Sequence, residues 1–132
     1  MKYMLIALAA VVIAGALFLM FRNKTESVAV AYRRISQEEA KSLMRGEEPC
    51  TILDVRTKEE YDNGHIPDAV LLPLDKLRDS AEAVLSDKDR MLLVYCRSGN
   101  RSRSAAKILT ELGYSDVREF GGINTWPYDI VK

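Results

Sequence analysis

The chain opens on nineteen positions, 3–21, without a single charge, bracketed by Lys2 and Arg22. As a helix this stretch would reach roughly 28 Å, against a hydrocarbon core of ~30 Å. It predicts a transmembrane helix over 1–22. From residue 34 the pattern changes to short apolar runs separated by helical spacing. Ser36-Gln37-Glu38-Glu39 has the spacing of a capping box, and a helix is expected to run to Arg45, where Gly46 stops it. Residues 51–55 form a β-branched apolar run, the signature of a buried strand. Thr57-Lys58-Glu59-Glu60 opens a second, short helix, and Asn63-Gly64 marks a turn. A strand over 69–72 leads to Pro73, after which Leu74, Leu77, Ala81 and Leu85 recur at helical spacing. The strongest strand signal covers 90–95. A helix follows over 102–112, with Ile108, Leu109 and Leu112 on one face and Gly113 at its end. Val117 and Phe120 mark a last strand, Gly121-Gly122 a break, and 123–128 a short helical piece.

Apolar strands alternating with helices predict an α/β domain whose parallel sheet is covered on both faces. The organisation expected is an anchor over 1–22, a juxtamembrane linker over 23–33 and a domain over 34–132. In such sheets, sites form beyond the carboxyl ends of the strands. Cys96 falls there, between the strongest strand and the next helix.

Charge and composition narrow the classes. Lys+Arg and Asp+Glu both number 19, which gives no reason to propose a nucleic-acid partner. Cys50 and Cys96 are the only cysteines and His65 the only histidine. That excludes a disulfide-dense scaffold and a Cys/His metal cluster, and no cofactor is called for. Around the anchor, the Lys/Arg excess lies after the helix, at Arg22, Lys24, Arg33 and Arg34. The positive-inside rule then predicts a single-pass protein of the cell or inner membrane with its domain in the cytoplasm. The alternative is export after signal cleavage near Ala14-Gly15-Ala16.

The chemistry concentrates in Cys96-Arg97-Ser98-Gly99-Asn100-Arg101-Ser102. A thiol attacks as its thiolate, which a helix N-terminus, inward backbone N–H groups and nearby cations all stabilise. Gly99 lets the backbone curl into a cradle, and Asn100 tolerates a left-handed conformation there. Arg97 and Arg101 add fixed positive charge, with Arg101 the better placed to contact an anion. Such a nest suits a thiolate, a persulfide or a bound anion such as thiosulfate. The bland alternative is a core cysteine at a strand end.

This loop resembles the active-site loop of the rhodanese family. Leu53-Asp54-Val55-Arg56 with Glu59-Glu60-Tyr61 is similar to that family's first signature. Gly64-His65-Ile66-Pro67-Asp68-Ala69 through Pro73-Leu74 is similar to its second, and Gly121-Gly122-Ile123-Asn124-Thr125-Trp126 to its C-terminal one. The four occur in the family's order over roughly residues 34–130. The resemblance implies a central parallel sheet of about five strands flanked by helices. It also implies that Cys96 takes sulfane sulfur from a small donor as a persulfide and passes it to a thiol or cyanide. Delivery to a protein acceptor, without turnover of small donors, is the milder alternative. A cysteine phosphatase or arsenate reductase is the chemical rival. Such phosphatases carry an Arg six residues after the Cys, where this chain has Ser102; the shorter loop suits a sulfur atom better than a phosphoryl group.

Other residues carry weaker expectations. Asp54 and Arg56 stand near the same sheet edge, as support for the Cys96 loop or, the favoured reading, as a structural ion pair. His65 is expected to be a hydrogen-bonded structural residue and not a base for Cys96. Cys50 is expected to be a partly buried small residue, with a resolving thiol as the alternative. Trp126 is expected in the core, and Arg103 and Lys107 on an exposed helix face.

Overall fold

A computed structural model describes residues 31–132. The apolar stretch at 3–21, and with it the expected anchor, lies outside the described residues. Among those described, no helix is long and apolar enough to cross a membrane.

The sheet is built on β4 (Met91–Cys96), whose six residues are all buried, as a strand covered on both faces requires. Alternation sends Leu92, Val94 and Cys96 into one apolar layer and Met91, Leu93 and Tyr95 into the other. Beside β4 lie β2 (Cys50–Asp54) and β5 (Val117–Gly122). The edges are β3 (Val70–Leu71) and β1 (Arg33–Arg34). The order is β1-β5-β4-β2-β3, five strands, all parallel. This is the sheet that the alternation predicts.

Helices α1 (Gln37–Arg45) and α2 (Lys58–Asp62) start at the two expected caps. The Ser36 hydroxyl accepts the Glu39 N–H, and Thr57 and Glu60 form a complete capping box. A single 3₁₀ turn (Leu74–Lys76) leads into α3 (Leu77–Val84), which buries Leu77 and Ala81. Helix α4 (Asn100–Glu111) buries Ala105, Ala106 and Leu109 against the same layer as Val94 and Cys96. The opposite layer joins Ala40 of α1 with Ile66, Phe120 and Trp126.

Four expectations change. Helix α4 begins at Asn100, two residues before the expected Ser102, because Gly99 takes the capping turn. Gly121 and Gly122 belong to β5 and do not break it: Gly122 pairs with Cys96. The helical piece expected over 123–128 is one 3₁₀ turn, Ile123–Thr125. Pro127 follows, and it disfavours helical geometry in the residue before it. The pair Arg33–Arg34 forms β1 although it is charged, because its backbone completes the edge of β5.

Candidate active site

The site starts at a register shift. Val94 pairs with Glu119, yet Cys96 pairs with Gly122, so β5 carries one extra residue here. Gly121, at φ +91°, supplies that bulge. The peptide after Cys96 then packs directly on Gly122: a Cβ at that position would run into the Arg97 carbonyl and the Ser98 nitrogen. The Asn124 N–H binds the Arg97 carbonyl at 3.1 Å, and Gln37 holds the Gly122 carbonyl at 2.8 Å. The C-terminal Gly-Gly-Ile-Asn run is therefore the floor on which the cysteine loop is laid.

The loop closes through Gly99, at φ +104°, the residue that caps α4. Its N–H lies 3.0 Å from Cys96 Sγ. Asn100 is helical, and the left-handed conformation that it could tolerate is taken by Gly99, which has no Cβ to clash. The Asn100 carboxamide instead accepts a hydrogen bond from Arg103.

Sulfur sits at the base of this turn, 1% exposed. Burial pushes its thiol up, while the Ser102 hydroxyl and the N–H groups of Ser102, Gly99 and Ser98 pull it down; the balance leaves it below the ordinary cysteine value. Ser102 Oγ accepts from the Cys96 thiol at 3.4 Å, and its hydroxyl is within donating reach of Glu119 Oε1 at 2.7 Å and of the Gly99 carbonyl at 3.0 Å. Glu119, 1% exposed, accepts the Gly121 N–H at 2.8 Å as well. Its other oxygen, Oε2, faces Arg34 Nε of β1 at 3.3 Å, an ion pair without hydrogen-bond geometry. The sequence reading missed Glu119. The available signal was a carboxylate inside the apolar pattern of the last strand, between Val117 and Phe120.

The arginines divide. Arg97 and Ser98 are exposed at the rim. Arg101 lies on the first turn of α4, where its guanidinium is clamped by both oxygens of Glu60 at 2.7 and 2.9 Å. Arg101 holds the Glu60 carboxyl down at about 2. Beside them, a cleft of about 320 Å³ is lined by Arg56, Glu60, Asn63, Gly64, Arg97, Ile123, Asn124 and Ile130.

Asp54 and Arg56 form the buried ion pair that the sequence reading favoured, 2.7 Å at its closest. Neither bonds the Cys96 loop. Asp54 also accepts the Tyr95 hydroxyl, Tyr95 accepts the Ile66 N–H, and Arg56 donates to the Gly64 carbonyl. The pair thus ties β2, β4 and the turn before β3 together, one residue away from the sulfur.

His65 stacks on Tyr61, and its Nδ1 meets the Tyr61 carbonyl at 3.0 Å, a structural arrangement. Trp126 packs on Phe120 in the core. Cys50 is half-buried and pairs with Met91 at the opposite end of the sheet. At ~3.3 Å per residue the length of β4 separates it from Cys96, far beyond disulfide reach. Among the described residues no group of His, Cys, Asp and Glu could hold a metal ion.

Comparison with known proteins places this geometry. The family model for the rhodanese-like domain matches residues 36–127. The thiosulfate sulfurtransferase GlpE of Coxiella burnetii is 38% identical over 96 residues, covering 72% of this chain and 87% of that protein. The adenylyltransferase and sulfurtransferase UBA4 of Candida albicans is 34% identical over 104 residues, 74% of this chain but 24% of that protein. Among solved structures, a rhodanese-related protein from Thermoplasma volcanium aligns with a TM-score of 0.67 at 32% identity, covering 76% of this chain and 98% of that one.

Proposed function

The chain belongs to the rhodanese-like domain family, and from that membership we propose that it is a sulfurtransferase working through a persulfide on Cys96. The observation that carries this reading is the cradle itself: a buried sulfur at a helix N-terminus, held by the Gly99 N–H and drawn below its ordinary value by loop hydrogen bonds. In the first step the Cys96 thiolate attacks the sulfane sulfur of a donor such as thiosulfate. A new S–S bond forms, the donor's S–S bond breaks, and sulfite leaves with the bonding pair. The negative charge moves to the outer sulfur. In the second step a thiolate or cyanide attacks that outer sulfur, and Cys96 leaves as thiolate, ready for another cycle. The same N–H groups that favour the attacking thiolate favour the leaving one.

Arg101 supports sulfur over phosphate as the cargo. A phosphoryl clamp needs a guanidinium free to grip oxygens, and this one is engaged on both arms by Glu60. Exposed Arg97 is the cation left to meet an anionic donor at the rim. A protein acceptor is a second reading, favoured by the match to a larger protein named as an adenylyltransferase and sulfurtransferase. Tethering through residues 1–22, with the domain in the cytoplasm, completes the proposal and rests on the uncharged run and its basic flank.

Intact-mass analysis after incubation with thiosulfate tests the core claim. The wild type and Cys50→Ser should gain about 32 Da, one sulfur atom, and Cys96→Ser should gain nothing. Absence of the adduct on the wild type would falsify the persulfide mechanism.

A further inference from the structure

Ser102 has one proton and several acceptors within reach: the Gly99 carbonyl at 3.0 Å, the Gly121 carbonyl at 3.4 Å, the Glu119 carboxylate and, once ionised, the Cys96 sulfur; the carboxylate is the nearest. Its hydroxyl oxygen is 2.7 Å from Glu119 Oε1 and 3.4 Å from Cys96 Sγ. A hydroxyl has one proton to give. The bond to the carboxylate is the shorter, and it is charge-assisted. While it is made, Ser102 turns a lone pair toward sulfur and accepts from S–H; the hydroxyl draws the thiol down only when its proton turns from the carboxylate to the sulfur. We propose that Glu119 is a positioning residue for sulfur transfer, competing with Cys96 for the Ser102 proton and thereby restraining the thiolate.

All three residues are buried, with Ser102 at 0% and Cys96 and Glu119 at 1% exposure, so water does not arbitrate between them. The competition is reversible because Glu119 is never left bare. When the hydroxyl swings to sulfur, the Gly121 N–H stays on Oε1 at 2.8 Å and Arg34 stays beside Oε2 at 3.3 Å. The swing itself is a rotation of the hydroxyl; the bond that breaks is Cys96 S–H, whose electron pair stays on sulfur while the proton passes to solvent or to a base on the donor. During transfer to an acceptor, Sγ leaves as a thiolate and draws the same proton back. Other charges face the sulfur region. Arg97 stands on the loop, and Arg101 and Arg103 on α4 are held by Glu60 of α2 and by Asn100. The Asp54–Arg56 pair closes β2. Among the described residues none of these bonds Ser102.

The consequence for transfer rests on the sulfur-carrier reading above, but the test is made on the thiol. The rate of Cys96 alkylation by iodoacetamide is followed against pH on the full chain, with the Cys96 peptide read by mass spectrometry. Glu119→Gln weakens the claim on the proton and should lower the midpoint by about one pH unit. Glu119→Asp keeps the charge beside Arg34 but shortens the reach to Ser102, and should lower it too. In a Ser102→Ala background the Glu119→Gln shift should fall to less than half. An unmoved or raised midpoint in both Glu119 variants overturns the proposal, as does a shift undiminished by Ser102→Ala. Thiosulfate loading of the same wild-type sample separates the two claims. Failure to load sinks the sulfur carrier; normal loading with unmoved midpoints sinks only the role of Glu119.

Discussion

At Tyr95 one hydroxyl serves two buried partners, donating to Asp54 and accepting from the Ile66 N–H. Tyr95→Phe leaves both short of a partner, which costs about 1–3 kcal/mol. Urea unfolding should show that loss, while persulfide loading per folded molecule stays near the wild-type level. Glu60 offers a pH-dependent test. Arg101 holds its carboxyl at about 2 against an ordinary 4.5. A carboxylate with a depressed folded-state value stabilises the fold fully above the unfolded value, and that contribution fades as pH falls from about 4.5 toward 2. Glu60→Gln should therefore flatten the fall in stability across that acidic window. A wild-type and variant pair with parallel curves would deny the Arg101 bond its weight. The candidate nucleophile was legible in the sequence because a cysteine between an apolar strand and a Gly-containing turn stands at the carboxyl end of a sheet, where sites form. The Glu60 clamp was not, since it joins residues forty-one positions apart.

The element that makes the cradle is the junction of β4 and α4. Gly99 at φ +104° and Gly122 against the Arg97 carbonyl are its two points of no tolerance. Gly99→Ala must hold a Cβ in a left-handed turn, at about 1 kcal/mol or more, and should tilt the N–H away from sulfur. Gly122→Ala forces the Arg97–Ser98 peptide to move bodily. Both variants should raise the midpoint of Cys96 alkylation, and Gly122→Ala should also lower the thermal midpoint; an unshifted profile in either would show that the loop amides do not set the thiol. Cap signals in the sequence placed the starts of α1 and α2 correctly, because a capping box is a contact within four residues. The start of α4 came two residues earlier than the spacing suggested, since its cap is a backbone conformation and not a side chain.

At the largest scale, the described residues form a five-stranded parallel sheet with apolar layers on both faces, and the candidate site lies at one edge, where the ends of β2, β4 and β5 meet the start of α4. If residues 1–22 anchor the chain with that edge in the cytoplasm, protease added to intact cells should spare the domain, and lysis should expose it. Cleavage in intact cells would reverse the orientation. The amino-acid sequence by itself determined the class of fold and singled out Cys96 as the candidate nucleophile, because hydrophobic period, caps and the Cys96 loop are local patterns that one stretch of chain can carry. Only the tertiary structure decided which groups act on that sulfur. The bulge at Gly121 brings Glu119 under Ser102, β1 brings Arg34 to Glu119, and α2 brings Glu60 to Arg101. Each of those contacts joins distant segments, and their strength comes from burial, which local sequence does not encode.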